Sequence, residues 1–140
     1  MLFRSGWQRD LSVSHNKIGD VLVAQGDLPG AMESYRASLA IRERLAKSDP
    51  GSAGGRGSAT TLGWQRDLSV SHEKIGDVLV AQGDLPGALE SYRARHAIAE
   101  RLAKSDPGNA GWQRDLSVSH NKIGDVQVAQ GNLPDRKSVV

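Results

Sequence analysis

Three side chains suited to nucleophilic chemistry recur along the chain, as Asp10, Ser14 and His15, as Asp67, Ser71 and His72, and as Asp115, Ser119 and His120. In a triad the imidazole takes the hydroxyl proton and the acid orients the ring. Helical geometry does not assemble one here. Neighbouring residues on a helix diverge by about 100°, so Ser14 and His15 do not face each other. Three copies point to architecture, and no catalytic residue is assigned. His15, His72 and His120 lack a second ligand one turn away on the same face, so they are read as half-buried packing residues and no metal site is assigned. Trp7, Trp64 and Trp112 could stack on a ligand. Their angular position is on the core side, so each is expected to pack at the start of its helix against the preceding unit. Gly19, Gly76 and Gly124 fall in mid-helix at a cost of roughly 1 kcal/mol each relative to Ala, which indicates close helix contact. No Gly-rich turn leads into a helix start, so they do not form a phosphate loop, and no cofactor is expected.

The recurrence itself decides more than any of these residues. The string from Trp64 to Pro86 is repeated at residues 7–29 with a change only at Asn16/Glu73, and at 112–134 with changes only at Asn121, Gln127 and Asn132. Such a unit buries its apolar face against its neighbours and builds an extended surface in place of an enclosed pocket. Binding is therefore the expected function. Trp7 and Trp64 are 57 positions apart, Trp64 and Trp112 only 48. The nine extra residues lie in a Gly/Ser/Ala-rich stretch that reads as flexible linker. The organisation expected is repeat 1 at 7–51, a linker at 52–63, repeat 2 at 64–108, a partial repeat 3 at 112–134 and a non-repeat tail at 135–140.

Composition narrows the function classes. A chain of 140 residues, 38% of them hydrophobic, can bury one continuous core. It holds no cysteine, so disulfides and thiolate metal sites are out. No apolar run is long enough for a signal peptide or a membrane span, and a cytoplasmic location without membrane contact is the default expectation. A pI of 9.2 invites nucleic acid, but 18 basic residues against 16 acidic leave only +2. The charges alternate. Arg42-Glu43-Arg44, Glu100-Arg101 and Lys17 near Asp20 read as mixed, solvated helix faces, so nucleic acid is not the expected partner.

Each full repeat should hold two helices. Trp7, Leu11, Ser14/His15, Ile18, Val21/Leu22 and Gln25 recur every three or four residues, one face of a helix that Gly26 stops. Asp27 can cap the next helix and Pro29 fits its first turn. Ala31, Tyr35, Ser38 and Leu45 mark its inner face until Asp49-Pro50-Gly51. Helices are predicted near 7–25, 29–48, 64–82, 86–105 and 112–130. Gln127, at the position of Leu22 and Leu79, predicts the least stability and fastest hydrogen exchange over 112–140.

Ile18-Gly19-x2-Leu22, Gly26, Ala31-x3-Tyr35 and Asp49-Pro50, with Ile75-Gly76-x2-Leu79, Gly83, Ala88-x3-Tyr92 and Asp106-Pro107, resemble the tetratricopeptide repeat pattern over most of residues 7–134. The pattern departs from the family in two respects. Histidine stands three residues before the leading Ile, and each helix is longer by about seven residues, or about two turns. With Ala40-Ile-Arg-Glu-Arg-Leu45 and Asn16, this is similar to the long subtype of kinesin light chains. The resemblance implies an all-α fold, a right-handed αα-solenoid of about two and a half repeats and five helices.

If Ile18 centres the buried face, then Arg9, Val13, Asn16, Asp20 and Val23 lie opposite. In the family, first helices line a concave groove. The resemblance would thus align Arg9, Arg66 and Arg114, then Val13, Val70 and Val118, then Asn16, Glu73 and Asn121, then Asp20, Asp77 and Asp125. Apolar, amide and carboxylate groups suit a peptide or helix of basic character. These residues also fit a merely solvated face. Asp20 and its copies would repel a C-terminal carboxylate. After Asn132-Leu-Pro134 the tail Asp135–Val140 leaves the repeat and is read as foreign to it, so a fragment of a longer array is expected. Two functions stand: a non-catalytic protein-protein interaction module or scaffold, or a structural spacer or self-association element of a larger signalling protein that associates through its open array ends.

Overall fold

The structure is a computed structural model that describes residues 2–48 and 59–131. Five helices follow in order, α1 (Leu2–Ala24), α2 (Leu28–Ser48), α3 (Ala59–Ala81), α4 (Leu85–Ser105) and α5 (Ala110–Ala129), with no strand among the described residues. Each predicted helix is present. The first and third start five residues earlier than their periodicity indicates, so Ala59–Gly63 belongs to α3 and not to a linker. The rest of the linker and the tail from 132 lie outside the described residues. No described helix is long and apolar enough to cross a membrane.

The hairpin turns are fixed by local chemistry. Gly26 and Gly83 sit at φ 84°, a left-handed conformation that only glycine adopts without cost. There the amide of Asp27 donates to Leu22 O at 2.8 Å and that of Gly26 to Val23 O at 2.9 Å, satisfying the last carbonyls of α1. Asp84 and Gly83 repeat the pair on Leu79 and Val80. The same aspartates then cap the next helices, accepting from Gly30 N at 3.0 Å and Gly87 N at 2.9 Å. A three-residue turn of this kind leaves no alternative to antiparallel packing of α1 on α2 and of α3 on α4.

The second helices carry the core. Ala31, Met32 and Tyr35 of α2 pack on Ile75 and Val78 of α3, and Ile41 and Leu45 enclose Trp64. One repeat on, Ala88 and Tyr92 of α4 pack on Val126 of α5. The inner face expected of α2 is buried at all four positions. Trp64 packs on the preceding unit as its position predicts, but Trp7 is 76% exposed, because no described helix covers α1 as α2 covers α3. For the same reason Leu11, Ile18 and Val21 are exposed, whereas Ile75 and Val78, their copies, are buried.

A glycine marks the closest approach within each hairpin. A Cβ at Gly19 would overlap the ring of Tyr35, and one at Gly76 the ring of Tyr92. A Cβ at Gly124 would meet no described atom within 4 Å beyond its own helix backbone and chain neighbours.

One substitution at three equivalent sites should therefore differ in sign. Gly19→Ala and Gly76→Ala are expected to destabilise by roughly 1–3 kcal/mol through overpacking. Gly124→Ala should stabilise by about 0.5–1 kcal/mol, because only the helix propensity changes. Denaturant midpoints of the three variants check this. Hydrogen exchange should be slowest in α2, α3 and α4 and fast at both ends, since α5 buries only Ser119 and Val126 and α1 buries no large apolar side chain among those described. Fast exchange confined to α5 would contradict the burial pattern.

Candidate functional site

Tyr35 reaches across the hairpin because Gly19 lets its ring lie on the α1 backbone. Its hydroxyl then donates to Asp20 Oδ1 at 2.5 Å. Tyr92 repeats this on Asp77 at 2.5 Å. Each aspartate also accepts from a lysine of the next first helix, Lys74 Nζ on Asp20 at 2.9 Å and Lys122 Nζ on Asp77 at 3.0 Å. The same ammonium groups lie 5.7 Å from the centroids of the Tyr35 and Tyr92 rings. Burial pushes the Asp20 carboxyl up, but the hydrogen bonds from Tyr35 and Lys74 outweigh it and hold the group below its ordinary value. Burial and the neighbouring carboxylates push both phenols well above theirs.

A second rung crosses the helices nearer their N-termini. Arg9 Nε pairs with Asp67 at 2.9 Å, and Arg66 with Asp115 at 3.6 Å. The first helices α1, α3 and α5 are thus joined side by side by a ladder that repeats with the sequence, Arg to the next Asp and Asp to the next Lys. Exposed pairs contribute little singly, about 0–1 kcal/mol, but they fix register. Buried between the rungs, Arg42 of α2 donates from Nε to Ser12 Oγ at 3.1 Å, and from Nη1 to Asp67 O and Ser71 Oγ at 3.0 Å each. In α4 the arginine stands one turn earlier. Arg95 replaces Ser38, Ala99 replaces Arg42, and Arg95 lies 3.4 Å from Glu73.

These contacts revise the expected groove. Asn16 is buried, not groove-lining, because its side of α1 faces the neighbouring helices and Ile18 faces out. Arg42 is likewise buried and bridging, not on a solvated face. Glu73 is held by Arg95 and Lys122, and Asp20 and Asp77 are held by tyrosine and lysine, so these carboxylates are already occupied. Arg9 and Arg66 serve the ladder. Val13, Val70 and Val118 are half-buried, and Arg114, Asn121 and Asp125 are exposed. Asp10 and Ser14 are exposed and His15 half-buried on a single helix. His120 is exposed, not half-buried, its ring edge-on to that of His96, 4.5 Å away. The sequence signal for the ladder was present in the recurring Arg-Asp pairs at 9–10, 66–67 and 114–115 and in Lys17, Lys74 and Lys122.

The ladder borders a cleft that occurs twice. A volume of about 140 Å³ is lined by Val23, Leu28, Tyr35, Lys74, Asp77, Val78 and Ala81. One repeat on, about 290 Å³ is lined by Val80, Leu85, Tyr92, Lys122, Asp125, Val126 and Ala129, together with Asp77. All seven positions correspond, residue type for residue type. The difference lies in the carboxylate. Asp77 in the first cleft is taken by Tyr92 and Lys122, while Asp125 in the second has no such partner among the described residues. A comparison with protein-family models finds no match, and a search of curated proteins finds no relative.

Both tyrosines of the chain donate to an aspartate, so the whole phenol titration reports on the site. Their raised values place stability below the ordinary phenol value of 10.0 and remove it as pH rises through the folded values. Tyrosine absorbance should stay flat through pH 10 until the chain unfolds, and Asp20→Ala or Asp77→Ala should each return one phenol towards its ordinary range. On the acid side, burial lowers His72 from 6.5. The unfolded chain then takes up that proton first, so stability should fall as pH drops below 6.5 and His72→Gln should flatten this segment. A native chain with two phenols titrating at the ordinary value would contradict the site geometry.

Proposed function

We propose that the chain is a non-catalytic protein-protein interaction module. It is built of tetratricopeptide-like hairpins in a right-handed αα-solenoid and takes a peptide or helical segment of basic character along the side of α1, α3 and α5. The observation that carries this reading is the recurrence of one cleft at successive junctions, with an apolar floor and a carboxylate at the rim. Such a shape suits the aliphatic stem and charged head of a lysine or arginine. The chain itself supplies the precedent, since Asp20 and Asp77 each receive a lysine ammonium. Asp125 is the position where a ligand cation fits. The ladder favours a second reading, a structural spacer, because it uses the interior charges to hold the array together.

A library of peptides rich in lysine, arginine and aliphatic residues separates the two. Under the binding reading, peptides are retained at low salt and released as salt rises. Asp125→Asn, which touches no described partner, should weaken them by on the order of 1 kcal/mol, with an unchanged melting temperature. Val80→Lys, which places a cation in the same cleft, should weaken them further. A library with no binder, or binders indifferent to both substitutions, would leave the spacer reading as the better one.

A further inference from the structure

Trp7, Leu11, Ile18 and Val21 of α1 are 76%, 51%, 52% and 56% exposed and lie on one stripe of the helix. With Ser14 they fall at 7, 11, 14, 18 and 21, alternating steps of four and three, the period of a helix-pairing seam. The residue types are those of a packing surface. The identical stripe is covered in α3 by Ala31, Met32, Tyr35, Ile41 and Leu45, and in part in α5 by Ala88 and Tyr92. Asp10 and Lys17 flank the stripe on one side, seven residues apart. Their copies are ladder members: Asp67 pairs with Arg9, Lys74 with Asp20 and Lys122 with Asp77. Among the described residues Asp10 and Lys17 have no ion-pair partner on another helix.

The geometry points to a second copy of this chain as the occupant, α1 packing antiparallel on α1 about a two-fold axis near Ser14. An isologous contact requires a surface complementary to itself. Antiparallel pairing sets Trp7 against Val21 of the second copy and Leu11 against its Ile18. It also sets Asp10 beside its Lys17, twice over. Parallel pairing would instead place the two copies of Asp10, and the two copies of Lys17, on opposite sides of the seam, so that Asp10 and Lys17 of different copies would not meet. Charge thus selects the antiparallel arrangement, and the apolar seam supplies the attraction.

Sedimentation of the intact chain over a concentration series tests this directly. A reversible dimer is expected. Ile18→Asp should abolish it without loss of helicity, since the side chain is exposed. Asp10→Lys and Lys17→Asp should each weaken it by about tenfold, and the double variant should restore it, because the charges are only exchanged. A monomer at every concentration overturns the proposal, as does a dimer untouched by Ile18→Asp or a double variant no better than the singles. A monomer that takes up a peptide of residues 28–48 on this stripe also overturns it and assigns the face to a second-helix segment.

Discussion

The seating of a tyrosine ring on a helix backbone sets the dimensions of this fold. Glycine at 19 and 76 removes the Cβ that would hold the helices apart, and the ring of Tyr35 or Tyr92 fills the space. The hydroxyl then falls on the aspartate one residue along, and the lysine of the following first helix closes on the same carboxylate. One packing contact within a hairpin is thus coupled to one ion pair between hairpins. An added methyl group at Gly19 would displace the ring, and with it one of the donors that hold the Asp20 carboxyl below its ordinary value. Helix pairing and repeat stacking share a single device, which is why its four residue types recur together.

The few differences between near-identical repeats are matched to one another. Asn16 becomes Glu73 in an otherwise unchanged first-helix string, while Ser38 becomes Arg95 in the second helix packed against it. Arg95 and Glu73 come together as an ion pair, whereas Asn16 and Ser38 are both buried and uncharged. The arginine lost one turn later, Arg42 to Ala99, belongs to the same exchange. A cation buried between three helices needs acceptors, and Arg42 finds them in two serines and a backbone carbonyl. Arg95 is offered a carboxylate instead. Each junction carries one buried guanidinium, at either of two heights.

The sequence made some elements legible and hid others, and the division follows the range of the interaction. Stops at Gly26 and Gly83, caps at Asp27 and Asp84, the inner face of α2 and the close approach at Gly19 depend on neighbours within one hairpin. All were readable from spacing. The burial of Ile75 and the exposure of Ile18 were not, because two copies of one string differ only in whether a preceding hairpin covers them. The groove assignment failed at Asn16 for a related reason. Helical periodicity marks a single buried face, whereas a first helix meets both its own partner and the neighbouring repeat, leaving a narrower free face. Arg42 looked solvated among Glu43 and Arg44 because charge patterning along a helix says nothing of the serines that face it from two others.

The ladder also decides which charges stay unpaired. Every interior aspartate of its two rungs meets a cation from a neighbouring repeat, so interior positions contribute register and little free charge. Among the described residues, the unpaired complement of the rungs lies on α1 and α5. On α1 that complement is Asp10 and Lys17 beside an apolar stripe; on α5 it is Arg114 and Asp125 beside an open cleft. Pairing the interior charges leaves the unpaired rung members, among the described residues, on two faces that differ in character, one apolar with opposite charges beside it and the other concave with a carboxylate at its edge.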